Sequence, residues 1–324
     1  MHMDLIVTIP PNNTENFTNN IKYCLSEGCN KVRLNFSKCS TLEEVKNFSD
    51  IIQDISGRYS ELEYMFDIPY PRCKARIIQP EEKKISCGQR VVVSNQKKCI
   101  EETQIIINRN NLAQELKKDG ILYYSDGQGA FRIEEKLDCN SVVVKALNDM
   151  QVYRGKSLSC LPEEGNSLYL YYVSKAYKSC KNSSIAFSFV EQEGDIANIK
   201  ARKIAKIESA EGVRNISDLV ENVDGIMVAR GDLALYTSFT QLDIYQKKII
   251  HATKSRNKEV YIATDILNSL KDRFVPSRAE MIDLLSLERQ GVDAVIINYA
   301  LVEHRALSKC KYVLNEINKA KKLE

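Results

Sequence analysis

The feature that most constrains the fold is a strand-then-helix alternation that returns from one end of the chain to the other. Leu5 to Ile9 reads as a β-branched strand stopped by Pro10-Pro11, and Asn16 to Ser26 carries Phe17, Ile21 and Leu25 at helical spacing before Gly28. Lys31 to Phe36 alternates as a strand. Thr41 to Ile55 follows as a helix, with Ser40 or Thr41 as its cap, and Leu62 to Phe66 is a third strand. The second half repeats the rhythm more clearly. Strands are expected at Ser184–Phe189, Lys203–Ile207, Gly225–Ala229, Val260–Ala263 and Asp293–Ile297. Helical segments are expected at Ile196–Ala201, Val213–Glu221, Gln241–Ser255, up to Arg289, and Leu301–Lys321. Strands separated by helices must pair in parallel, and eight such units predict an α/β fold, a (β/α)8 barrel.

Between the third and fourth strands the rhythm fails. The stretch from Arg72 to Pro162 is far too long for a structureless loop and holds β-like runs at 90–93, 104–107, 121–124, 130–133 and 142–144. Asp126-Gly127 and Asn140 supply turn chemistry. The expected organisation is therefore a barrel of residues 1–71 and 163–324, with residues 72–162 as a small all-β lid inserted after strand three.

Composition excludes several classes. Apolar residues at 44% and charged residues at 27% belong to an ordinary globule. A net charge of +3, from Lys+Arg 46 against Asp+Glu 43, is too small to argue for nucleic acid as a partner. The longest apolar stretch, near Val292 to Val302, falls short of a membrane span, and Met1 to Pro11 lacks a signal-like pattern. The ten cysteines are scattered without a C-x-x-C, and His2, His251 and His304 are too dispersed to complete a zinc site. Reduced thiols in a cytoplasmic protein are the expectation.

In this fold the active site lies at the carboxyl ends of the strands. Strand two ends in Arg33 and Asn35, then Ser37, and strand three in Asp67. Strand five ends in Lys206 and Glu208, which share a face because side chains two apart do so. Strand six ends in Arg230-Gly231-Asp232 and strand seven in Thr264. Two carboxylates, Glu208 and Asp232, with room for substrate oxygens and water, suit Mg²⁺ or Mn²⁺. Lys206 and Arg33 beside them would neutralise a phosphoryl group in transfer. Gly231 permits close backbone approach at a helix start, and Thr264 is suited to relay a proton or hold a small substrate. Singly, each motif is commonplace: Lys-x-Glu is usually a surface pair, and Asn35 and Ser37 are usually turn formers. Their placement at successive strand ends argues for a metal-dependent enzyme with an anionic substrate.

These residues also resemble a known family. Ile204 to Val213 (IAKIESAEGV) and Asp224 to Leu233 (DGIMVARGDL) closely resemble the catalytic core of the pyruvate kinase family. Val32–Ser37, Ala186–Val190, Ala263–Leu267 and Pro276–Glu280 match in the same order, and Tyr124–Gly127 with Arg154-Gly155 look like its lid. The resemblance implies that Arg33 contacts the transferred phosphoryl group and Lys206 stabilises it. It implies that Glu208 and Asp232 hold the divalent metal, that the backbone at Gly231 receives the substrate carboxylate, and that Thr264 is associated with protonating an enolate. Asn35, Ser37 and Asp67 match a K⁺ site, with Ile68 able to give only its carbonyl. A nucleotide, ATP or ADP, would lie near Asn35 and Lys74, with Arg154 reaching its phosphates, and phosphoenolpyruvate, pyruvate or a related small carboxylate would be the other substrate. Self-association is compatible with the resemblance.

Departures from the family pattern stand beside these matches. The chain stops with its eighth helix, so the family's carboxyl-terminal regulatory domain is expected to be missing. Residues 68–74 read IPYPRCK where the family has TKGPEIR, and Asn298-Tyr299-Ala300-Leu301 replaces a Ser-Gly-Glu-Thr stretch. A specialised, non-glycolytic relative is expected. Two other readings stand: a metal-dependent pyruvate-enolate aldolase on the same barrel, and a non-catalytic binding module.

Overall fold

A computed structural model describes residues 2–11, 14–39, 41–98 and 103–320. The chain forms two compact units, residues 1–71 with 165–324 and residues 72–164. The first contains eight parallel strands: β1 (Asp4–Ile9), β2 (Lys31–Asn35), β3 (Glu63–Gln79, as far as Pro71), β4 (Ser183–Ser188), β5 (Arg202–Ile207), β6 (Gly225–Ala229), β7 (Glu259–Ala263) and β8 (Ala294–Ile297). Each pairs with the next, and β8 pairs with β1, so the sheet closes. Closure leaves no edge strand to protect.

Alternation along the strands sorts the side chains. Ile6, Met65, Ala186, Ile204, Met227, Tyr261, Ala263, Ala294 and Ile296 form the barrel interior. The opposite set, including Val7, Val32, Leu34, Phe66, Ile207 and Ile262, packs under the helices. Two helices show how local sequence sets the outer layer. Leu42–Ser56 starts where Thr41 Oγ1 accepts from Glu44 N at 3.1 Å; Ser40, the other candidate cap, lies outside the described residues. Arg278–Arg289 opens with a capping box between Ser277 and Glu280. Gly28, at φ +67, ends the helix Thr14–Ser26 in the left-handed region, and Lys311 Nζ occupies the space a Cβ would need.

Several expected elements take another form. Ile196–Ala201 is not helical. Asp195 accepts from Glu191 N (2.8 Å) and Gln192 N (3.1 Å), closing a tight turn at Glu193–Asp195, after which the apolar residues pack singly against the core. Val213–Glu221 divides into Ala210–Arg214, Ile216–Leu219 and a turn at Val220–Asn222. The last helix breaks into Ala300–Glu303 and Leu307–Ala320, because Arg305 adopts φ +52 with its guanidinium over the Tyr23 ring. Lys321, its expected end, lies outside the described residues. The helix Leu168–Ser179, which supplies the layer after β3, was hidden by a tyrosine-rich stretch that blurs the helical period.

The second unit has its own apolar core, with Val91, Val93, Ile105, Phe131 and Val144 among its buried residues. Its strands include Arg90–Ser94, Thr103–Ile107, Ile121–Tyr124, Gly129–Asp138 and Ser141–Ala146. Glu82–Ile85, Met150–Tyr153 and Ser157–Glu164 add to those expected, together with a short helix at Leu112–Glu115. The hairpin between Ile121–Tyr124 and Gly129–Asp138 turns on Ser125, Asp126 and Gly127, all at positive φ. Within the barrel unit the chain resumes at Gly165, where a Cβ would stand 2.3 Å from Pro69 O, so only glycine fits. No described cysteine is disulfide-bonded, and Cys99 lies outside the described residues. Burial pushes the thiols of Cys24, Cys39, Cys160 and Cys310 up to about 12, which makes them inert packing groups.

Candidate active site at the carboxyl ends of the strands

The upper end of the barrel gathers charge without exposing it. Asp67, on β3, is fully buried, yet it faces two cations. Arg33 Nε donates to its Oδ2 at 2.7 Å, and Lys206 Nζ stands 3.1 Å from its Oδ1. Lys206 Nζ also lies 3.3 Å from Glu208 Oε1 and donates to Ser188 Oγ at 2.9 Å. Ser188 in turn donates to Ile68 O at 2.9 Å, and Arg33 reaches Thr8 Oγ1 at 3.2 Å. Five of the eight strands or their ends thus contribute to one buried network.

Strand geometry explains the meeting. Arg33 and Asp67 lie on paired strands with the inward parity of Met65, and Lys206 shares the parity of Ile204. Glu208, just past the end of β5, is fixed by the Phe189 N–H, which donates to its Oε2 at 2.8 Å. Phe189 turns that N–H by adopting φ +52 where β4 ends.

Burial and charge oppose each other here, and charge prevails. Desolvation would raise the Asp67 carboxyl, but the Lys206 ammonium and the Arg33 guanidinium hold it below the usual carboxylate range. Desolvation would lower Lys206; Asp67 and then Glu208 keep it above its ordinary value, with Asp232 adding to the field. Asp232, in the first turn of the helix Arg230–Tyr236, is itself buried. Asp67, Glu208 and Asp232 are thus three buried carboxylates gathered about Lys206. Glu208 and Asp232 present carboxylate oxygens of the kind a hard divalent ion takes while keeping other positions open.

Among the remaining expected residues, Gly231 lies in the same helical turn as Asp232. Thr264 follows β7 at φ +80 and is partly exposed. Asn35 Oδ1 accepts from Ser37 Oγ (2.6 Å) and Ser37 N (3.2 Å). Lys74 and Arg154 belong to the other unit, where Arg154 Nη1 pairs with Glu81 at 2.7 Å. Asn298 donates to Asn268 Oδ1, joining the loops after β8 and β7. Sequence reasoning missed Thr8 and Ser188, small hydroxyls at strand ends. It also missed the Phe189 N–H, and what the Arg230 side chain does.

The fold and these residues define a (β/α)8 barrel with a buried lysine–carboxylate centre at the active-site end. The family described as pyruvate kinase, barrel domain, matches residues 1–300, and the chain belongs to the pyruvate kinase family. A pyruvate kinase of Thermococcus litoralis is 28% identical over 308 residues, covering 91% of this chain and 64% of that protein. One of Mycoplasma pneumoniae is 26% identical over 324 residues, covering 93% and 63%, and one of Thermotoga maritima 25% over 322 residues, covering 94% and 68%. The chain thus spans a little under two thirds of the length of the first two. No described helix is long and apolar enough to cross a membrane.

Proposed function

We propose that this chain transfers a phosphoryl group between a nucleotide and pyruvate, or a related small carboxylate, as a specialised member of its family. The observation that carries the reading is Lys206, buried between Asp67 (3.1 Å) and Glu208 (3.3 Å) with Arg33 on the same Asp67. An ammonium and a guanidinium side by side are what a transferring phosphoryl group needs, since its transition state asks for positioning and charge neutralisation more than covalent help. Arg33 would hold the phosphoryl oxygens, and Lys206 would meet the charge that grows on them. Asp67 keeps both cations charged and aimed.

Glu208 and Asp232 would hold Mg²⁺ or Mn²⁺, and the chemistry of two buried carboxylates supports that fit. The bound ion supplies Lewis-acid polarisation of substrate oxygens. The Gly231 backbone, in the first helical turn, would receive the substrate carboxylate. Thr264 would pass a proton to or from the substrate carbon. Lys74 and Arg154 are the basic residues proposed for the nucleotide, with Asn35. Asn35, Ser37 and Asp67, with the Ile68 carbonyl, are the oxygens proposed for K⁺; Asp67 also serves Arg33 and Lys206, Asn35 Oδ1 accepts from Ser37, and Ile68 O from Ser188.

The test follows deuterium entering the pyruvate methyl group, with Mg²⁺ and ATP present or omitted in turn. The reading expects exchange that needs the divalent ion and responds to nucleotide. Exchange that needs the ion but ignores nucleotide would favour a C–C bond enzyme instead, and no exchange under any condition would reduce the site to a binding module.

A further inference from the structure

Arg230 directs its side chain onto the loop that carries Thr264. Its Nε and Nη2 both donate to Thr264 O, at 3.1 and 2.7 Å, and Nη2 also reaches Asp265 O at 3.3 Å. Its Nη1 pairs with Asp283 Oδ2 at 2.7 Å, and the guanidinium side chain is only 11% exposed. The loop it grips is unusual. Thr264, Asp265 and Leu267 all have positive φ (80°, 56° and 55°), and none is glycine. A β-branched residue in that region persists only where its surroundings over-determine it.

The far end of the loop is fastened from the same helix. Glu280 accepts from Ser269 N (2.9 Å) and Ser277 N (3.0 Å), and it lies three residues before Asp283 on Arg278–Arg289, so both face one side. Asn268 Nδ2 ties back to Asp265 Oδ1 at 2.9 Å. One helix thus holds the loop through two acids, directly through Glu280 and by way of Arg230 through Asp283.

We infer that Arg230, clamped by Asp283, is a positioning residue that fixes Thr264 for proton transfer at the substrate carbon and leaves the phosphoryl centre to Lys206 and Arg33. This rests on the proposed reading of Thr264. In that step the Thr264 O–H bond breaks as the carbon–hydrogen bond forms, and the hydroxyl regains a proton from water, so the net transfer is from solvent to carbon. Arg230 makes these four bonds from three nitrogens spread over a rigid plane, whereas lysine offers three donors at a single point, so lysine is a poor replacement.

The test uses the full chain and the variants Arg230→Met, Arg230→Lys and Asp283→Asn. Backbone amide exchange of residues 264–277 should quicken about tenfold in Arg230→Met and less in Asp283→Asn, with residues 203–209 unchanged. Pyruvate methyl exchange should slow about tenfold or more in Arg230→Met, with partial recovery in Arg230→Lys. Mg²⁺-dependent binding of oxalate, a small dicarboxylate that resembles an enolate, should stay within about threefold of wild type, a split that general loosening of the fold would not produce. Unchanged amide exchange in both Arg230→Met and Asp283→Asn overturns the clamp, whatever the enzyme does. Methyl exchange at the wild-type rate in Arg230→Met overturns the positioning role. If wild-type protein shows neither methyl exchange nor oxalate binding, the proposed function itself fails, and the role in proton transfer falls with it while the amide data still judge the clamp.

Discussion

The barrel has two charged ends, and they are charged differently. At the amino-terminal end Lys31 sits between Asp4 (2.7 Å) and Glu63 (3.3 Å), Arg202 pairs with Glu259, and Lys254 with Asp293 (2.9 Å). Most of these groups line a small cavity, and all are roughly a fifth to two fifths exposed. At the carboxyl end Asp67 and Glu208 are at most 1% exposed and Lys206 is 7% exposed. An apolar layer around Ile6, Met65, Ile204 and Met227 separates the two. Exposed pairs contribute little to stability and tolerate change. Buried charged groups cost stability unless something else compensates, and clusters of them in a site are where function is sought. The contrast is one of burial, between a solvated mouth and one whose charges are shut away from water.

The largest effect expected is on turnover. Lys206→Met should reduce phosphoryl transfer about 10²-fold or more, measured as kcat, because it deletes charge stabilisation in the transition state. Next comes stability. Asp67→Asn should cost about 3 kcal/mol in urea denaturation, since Arg33 and Lys206 lose their shared counter-ion in a buried site. That cost should depend on pH in a defined direction. The Asp67 carboxyl is depressed in the folded protein by Lys206 and Arg33, which outweigh its burial. Its contribution is therefore complete above the ordinary carboxylate value, shrinks as pH falls below it, and vanishes beneath the folded value. Denaturation midpoints of wild type and Asp67→Asn should converge over that acidic window; a constant gap would contradict the assignment. The smallest effect belongs to the other mouth. Glu259→Gln should change stability by less than about 1 kcal/mol and leave kcat untouched. A large loss there would erase the distinction between the two ends.

Much of this was legible in the sequence because it is periodic. Strand runs such as Gly225–Ala229 and the two-residue spacing of Lys206 and Glu208 encode both the barrel and the shared face. What stayed hidden depends on contacts distant in sequence. Ser188 meets Lys206 across paired strands, and Arg230 meets Asp283 across 53 residues, neither of which leaves a local pattern. Asp67 illustrates the same limit, since nothing near it in sequence marks its pairing with Arg33 and Lys206. The break at Arg305 follows a backbone conformation and a ring contact with Tyr23 that helical spacing does not register.

Whether Glu208 and Asp232 at the carboxyl end take up a divalent ion decides the proposed function. Mn²⁺ binding, followed by electron paramagnetic resonance in the presence of oxalate, addresses this directly. One bound ion per chain is expected, with affinity reduced about 10-fold or more in Glu208→Gln and unchanged in Glu259→Gln. Mn²⁺ binding by Glu208→Gln that equals wild type would contradict it.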